Sequence, residues 1–189
     1  MAFKHEIRLA GSGGQGLILA GIILAEAAIL YEDLNAVQTQ SYGPEARGGA
    51  SKSEVVISDS DIDYPKCEKV DVMLAMTQKS VEEYGSDMKR GGLVLVDSDL
   101  VTQAPNGSLT SYAVPFTAIA RDEIGKTFVA NIVALGALAE LLDFINPSSM
   151  QKAVLRRVPK GTEEINKKAL KAGRDRIKRI LKDAKKEEK

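Results

Sequence analysis

Six residues, Gly11-Ser12-Gly13-Gly14-Gln15-Gly16, separate a strand-like lead-in, FKHEIRLA at 3–10, from the apolar run Leu17–Tyr31. A glycine-rich joint of this kind lets the backbone turn sharply and lets the following helix pack close to the sheet. Leu17–Tyr31 is apolar almost all round, with Glu26 as its one charge, which is the pattern of a helix packed inside a domain. It is shorter than the ~20 residues that span a bilayer. The glycine loop also stands where the apolar core of a signal peptide should begin. No membrane segment is expected, and the protein reads as cytoplasmic.

The rest of the chain continues the alternation. Residues 34–40 and 53–58 read as strands, and 70–76 (VDVMLAM) and 92–96 (GLVLV) are short continuous apolar runs. Such runs suit strands buried on both faces of a helix-covered sheet. A polar helix is expected over 78–89 and a further strand over 110–114. Helices then follow at about 116–124, 127–142, 148–157 and 162–186. The last carries Ile165, Ala169, Ala172, Ile177, Ile180, Leu181 and Ala184 along one stripe. The expected fold is α/β. Residues 1–189 form one domain, a Rossmann-like, mainly parallel sheet flanked by helices, with a helical C-terminal third.

Composition narrows the chemistry. Residues 1–162 carry 15 basic and 20 acidic side chains, and residues 163–189 carry 11 and 6. Acids interleave with bases in that C-terminal segment, and no aromatic follows Phe144 to stack on a base. A solvated amphipathic helix, not a nucleic-acid site, is the reading. Cys67 is the only cysteine and His5 the only histidine. A cysteine-ligated iron–sulfur cluster needs several thiolates, and no usual zinc spacing is possible. No metal site and no catalytic residue are therefore assigned to this chain. Cys67 has no histidine near it in sequence to activate it, Met73 and Met76 read as core, and Asn131 reads as a polar group bonding a neighbouring loop. Asp97, at the end of GLVLV, is either functional or a turn cap. Gly125-Lys126-Thr127 lacks the earlier glycine of a P-loop, because Ala120 stands there, and Thr127 is an N-cap candidate.

GSGGQG satisfies G-x-G-x-x-G in the setting where a helix N-terminus holds phosphate. An acid about 20 residues on, which would anchor a ribose, is missing: the region reads Val37-Gln38-Thr39-Gln40, and Asp33 precedes the strand. Ordinary NAD or FAD binding loses its usual anchor. A tight strand-to-helix turn and a different phosphate-bearing ligand both remain open.

A second segment raises the odds of function. Residues 38–59, QTQSYGPEARGGASKSEVVISD, place Arg47 between a Gly-Pro break and the Gly48-Gly49 pair. A guanidinium there can hold a carboxylate or phosphate bidentately. GSGGQG and SYGPEARGG together, with VVIS, IDYP at 62–65, NIVALGALAELL at 131–142 and EEINKKALKAG at 163–173, resemble the gamma subunit of the 2-oxoacid:ferredoxin oxidoreductases. The resemblance covers nearly the whole chain. It implies a subunit of an enzyme that decarboxylates a 2-oxoacid on thiamine diphosphate, passes electrons through iron–sulfur clusters to ferredoxin and gives the acyl group to CoA. The cofactors, Mg2+ included, are expected in partner alpha and beta, or delta, subunits and none in this chain, which is expected to be inert alone. The form TQSYGPEARGGASKSEVVIS looks most like the 2-oxoglutarate branch, and the pyruvate, branched-chain and indolepyruvate branches have similar gamma parts. Gly11, Gly13, Gly14 and Gly16 in the first loop, and Tyr42, Gly43, Arg47, Gly48 and Gly49 in the second, are the residues expected to face CoA or a partner. The rival readings are a free-standing Rossmann-type nucleotide-binding protein and an assembly subunit with no ligand.

Overall fold

The computed structural model describes residues 3–42 and 49–187. Strand β1 (Lys4–Ser12) runs into helix α1 (Leu17–Tyr31), which returns the chain to β2 (Asn35–Tyr42). Strands β3 (Ala50–Ser58) and β4 (Val70–Ala75) follow, then α2 (Gln78–Tyr84), β5 (Met88–Asp97) and β6 (Thr110–Val114). The helical part comprises α3 (Phe116–Ala118), which continues into a π-helical turn at Ile119–Glu123, then a 3-10 turn at Thr127–Val129. It ends with α4 (Ala130–Leu141), α5 (Pro147–Arg157) and α6 (Glu163–Glu187).

The six strands lie in the order β2-β3-β1-β4-β5-β6. β1, β4, β5 and β6 are mutually parallel, and β3 runs antiparallel to both β1 and β2. Only β3 opposes the rest, so the expected mainly parallel sheet is present. Its departure from the dinucleotide fold is specific. In that fold the strand after the glycine-loop helix lies beside the first strand. Here β3 fills that place, pushing β2 about 10 Å from β1 at the usual strand spacing.

Alternation along β1 splits its side chains between two faces. Ile7 and Leu9 join α1, α4 and α5 residues, among them Leu24, Leu135 and Met150, in the larger core. Ala10 joins Met73, Val81, Val94 and Val96 in a smaller core under α2. The two methionines are core on opposite faces, Met73 under α2 and Met76 under the helical layer.

Two expectations change. The polar helix over 78–89 stops at Tyr84, because Gly85 closes it: a Cβ there would lie 2.6 Å from the Val81 carbonyl oxygen. Residues from Met88 onward enter the sheet instead, where Lys89 pairs with Asp71 at 2.7 Å. Thr127 starts the 3-10 turn, and α4 begins at Ala130 without a side-chain cap. Among the described residues no helix is long and apolar enough to cross a membrane.

Candidate functional site

β1 ends where β3 begins, with Ser12 opposite Ala50, so the two glycine-bearing segments lie at one end of the sheet. They touch: the Gly13 N–H donates to the Gly49 carbonyl at 3.0 Å. The Ser51 hydroxyl adds a longer contact of 3.4 Å to the Gly11 carbonyl. β4 delivers Met76 to the same place, its N–H bonding the Ala10 carbonyl at 2.8 Å.

The first loop is closed from within by Gln15. Its side-chain oxygen accepts the Ser12 N–H at 2.7 Å, and its amide nitrogen reaches the Met76 carbonyl at 3.4 Å. Asn131, at the start of α4, donates to the Gly16 carbonyl at 3.1 Å while its oxygen accepts the Ile132 N–H at 2.9 Å. A buried polar group on an apolar helix is thereby satisfied, and a loop contact is the role its position had suggested.

The loop glycines divide. A Cβ on Gly11 would lie 2.4 Å from Gln15 Oε1 and 2.7 Å from Leu17 Cδ1. Gly16 has φ +73°, and a Cβ there would lie 2.5 Å from Asn131 Nδ2. These two are explained by packing. Gly13 and Gly14 are exposed, and Gly14, at φ +97°, has open space where a Cβ would be. α1 opens on Gly16 with no side-chain cap, so the backbone amides of its first turn point to this end.

In the second segment Tyr42 ends β2 at 63% exposure and Gly49 is buried. Gly43, Arg47 and Gly48 lie outside the described residues.

A charged layer backs this end on the face opposite α1. Arg8 is 3% exposed. Its Nε and Nη2 donate to Glu54 Oε1 at 2.9 and 2.6 Å, Nη1 donates to the Tyr84 carbonyl at 2.7 Å, and the guanidinium also pairs with Asp87. Burial acts against the Arg8 charge, but Asp87 and Glu54 outweigh it and raise its pKa; burial likewise acts against Asp87, whose pKa Arg8 lowers. Sequence reasoning missed this network, because Arg8, Glu54 and Asp87 are far apart in the chain. Arg8 inside an alternating strand was the one available signal.

Two other candidates are structural. Asp97 is fully buried and accepts the Thr117 hydroxyl and N–H at 2.5 and 3.1 Å and the Asp99 N–H at 3.1 Å. Burial raises its pKa despite these donors. It caps the turn after β5. Cys67 is half-buried, and burial, with Glu54 and Glu6 nearby, pushes its thiol up to about 12, so it is a poor thiolate nucleophile.

Residues 6–176 match the family model of pyruvate ferredoxin/flavodoxin oxidoreductase. The chain belongs to that family. Some relatives match this chain over nearly their whole length. The 2-oxoglutarate synthase subunit KorC of Methanocaldococcus jannaschii is 56% identical over 172 residues, 90% of this chain and 92% of that protein. The solved keto/oxoacid ferredoxin oxidoreductase gamma subunit of Geobacter sulfurreducens is 49% identical. It superposes with a TM-score of 0.86 over 93% of this chain and 97% of that one. The fold also recurs in the 2-oxoglutarate:ferredoxin oxidoreductase of Magnetococcus marinus, solved with 2-oxoglutarate, coenzyme A and succinyl-CoA bound. There the TM-score is 0.80 at 24% identity, and the match covers 31% of the longer chain. Membership in the family agrees with the resemblance carried by GSGGQG and SYGPEARGG.

Proposed function

We propose that this chain is the gamma subunit of a multisubunit enzyme that oxidatively decarboxylates 2-oxoglutarate to its acyl-CoA and passes the two electrons to ferredoxin. The observation that carries the reading is the near full-length likeness to 2-oxoglutarate synthase subunits at up to 56% identity. The partners are the alpha and beta, and in some assemblies delta, subunits of the same enzyme. In the partner subunits, thiamine diphosphate with Mg2+ would supply the electron sink for decarboxylation, and iron–sulfur clusters would supply the electron path. The clusters are assigned to the partner subunits because the single, poorly ionised thiol here does not suit one, and thiamine diphosphate with Mg2+ is assigned there by the family resemblance.

This chain's own contribution is positional. Its two glycine segments, joined by the bond from Gly13 to Gly49, form one end of the sheet. Gly13, Gly14 and Tyr42 offer an exposed surface there. In this reading that surface meets a partner subunit or the CoA path, a role extended to Gly43, Arg47 and Gly48 from the sequence alone, while Gly11, Gly16 and the buried Gly49 fix the loop. The inserted β3 argues against a free-standing dinucleotide-binding protein.

The pure chain is expected to show no turnover with 2-oxoglutarate, CoA, thiamine diphosphate, Mg2+ and an electron acceptor. Turnover should appear when the alpha and beta subunits are added. Activity of the chain alone, or full activity of the complex without it, would overturn the proposal.

A further inference from the structure

Beside the root of the second glycine segment, the sheet face away from α1 holds a cavity of about 240 Å³ lined by Thr39, Gln40, Ser41, Lys52, Glu54 and Lys66. Ser41 pairs with Lys52 and Thr39 with Glu54, so the cavity sits on the last rungs of the β2–β3 ladder. Its back wall is built. Glu54 is held by two nitrogens of the buried Arg8 and in turn holds Lys52 Nζ at 2.9 Å. The same ammonium lies 5.3 Å from the centre of the Tyr84 ring. Lys52 is thus fixed in place, unlike a free surface lysine.

The charges then decide the ligand. Arg8 and Lys52 are balanced by Glu54 and Asp87. Lys66, exposed on the cavity wall, has no ion-pair partner among the described residues. Among these described residues one positive charge is left over. The Glu54 charge is offset by the two cations bound to its Oε1, Arg8 and Lys52. The hydroxyls of Thr39 and Ser41 and the Gln40 amide supply neutral donors.

We propose that this cavity is an anion subsite, taking a carboxylate or phosphate group between Lys52 and Lys66. It is too small for a whole coenzyme and suits one anionic end of a larger molecule.

The test is an NMR titration of the 15N-labelled full chain with inorganic phosphate and, separately, with succinate, at ionic strength held constant with chloride. Saturable shifts are expected at the amides of 39–41 and 52–54. Saturation by phosphate alone identifies a phosphoryl group as the ligand, by succinate alone a carboxylate, and by both a general oxyanion site. Lys66→Gln, at an exposed position, should weaken binding about tenfold, the loss of one charge-assisted contact, with no change in the melting temperature. Lys52→Met should abolish it. Shifts that fail to saturate, that fall equally on the lysines of α6, or that persist unchanged in Lys66→Gln sink the proposal. Because Lys66→Gln leaves the buried network intact, that arm decides even if Lys52→Met unfolds. Failure here would leave the subunit assignment standing, since that is read from reconstituted turnover.

Discussion

Gly16 and Gly14 sit two residues apart and both have positive φ, yet they answer to different constraints. Alanine at Gly14 meets only backbone strain, of about 1–2 kcal/mol. Alanine at Gly16 adds a collision with Asn131, so its cost should reach roughly 2–4 kcal/mol. Urea unfolding of both variants checks this, and equal losses would mean that the Asn131 contact contributes nothing. Glu6 makes a second residue-scale case. It accepts the N–H groups of Glu68 and Lys69 at 2.6 and 2.8 Å and pairs with Lys4 at 2.9 Å, fastening the 59–69 loop to β1. Burial alone would raise its pKa, but Lys4 and the two amides outweigh burial and hold it below the ordinary value of 4.5. A depressed folded pKa gives stabilisation that is full above the unfolded value and is lost as pH falls through the folded one. Glu6→Gln should therefore cost about 1–3 kcal/mol at pH 7 and flatten the decline in stability below pH 4.5. An acid limb that superimposes on the parent's would assign the decline to other carboxylates.

At the scale of elements, α4 and α6 are held at backbone contact. A Cβ on Gly173 would lie 1.8 Å from the Val133 carbonyl oxygen, and one on Gly136 would lie 2.1 Å from that of Leu170. Gly173→Ala should cost about 3 kcal/mol or more and loosen α6, which thermal unfolding and limited proteolysis will show. A variant with parental stability and resistance would mean that the pair can separate freely. The α6 stripe read from apolar spacing was partly right. Ala169 and Ile177 are buried, but so are Asn166, Leu170 and Gly173, whereas Ala184 is exposed. Apolarity could not reveal that face, because its closest contact is made by a residue with no side chain. The same limit explains α2: Met88 and Lys89 look helical locally, but the pairing of Met88 with Val70 draws the segment into β5. By contrast α1, marked by an apolar run broken only by Glu26 between a glycine loop and Asp33, was legible to its ends.

For the whole molecule, strand identities were readable but their order was not. Nothing local in Ala50–Ser58 announces that it inserts between β1 and β2, because that choice is made by long-range pairing. The site was legible to the same degree. GSGGQG marked the loop, while the bond from Gly13 to Gly49 depends on β3 running backwards beside β1. On the proposed role, Arg47→Ala should leave the isolated chain's stability within about 0.5 kcal/mol. In the assembled enzyme it should weaken assembly or raise the apparent KM for CoA or 2-oxoglutarate by roughly ten- to hundredfold. Lysine should rescue only in part. Parental assembly and turnover at low substrate would remove Arg47 from that role.

The strand order also sets a timetable for synthesis. β1 leaves the ribosome before every other strand, yet Ile7 must wait for Val55 on one side and Val72 on the other. At about 5–20 residues per second the later partner follows after roughly 3–13 s. Through that interval α1, the most apolar segment of the chain, has been made, while α4 and α5, which cover it, have not. The helix that makes the finished core therefore leaves the unfinished chain adhesive until α5 has been made.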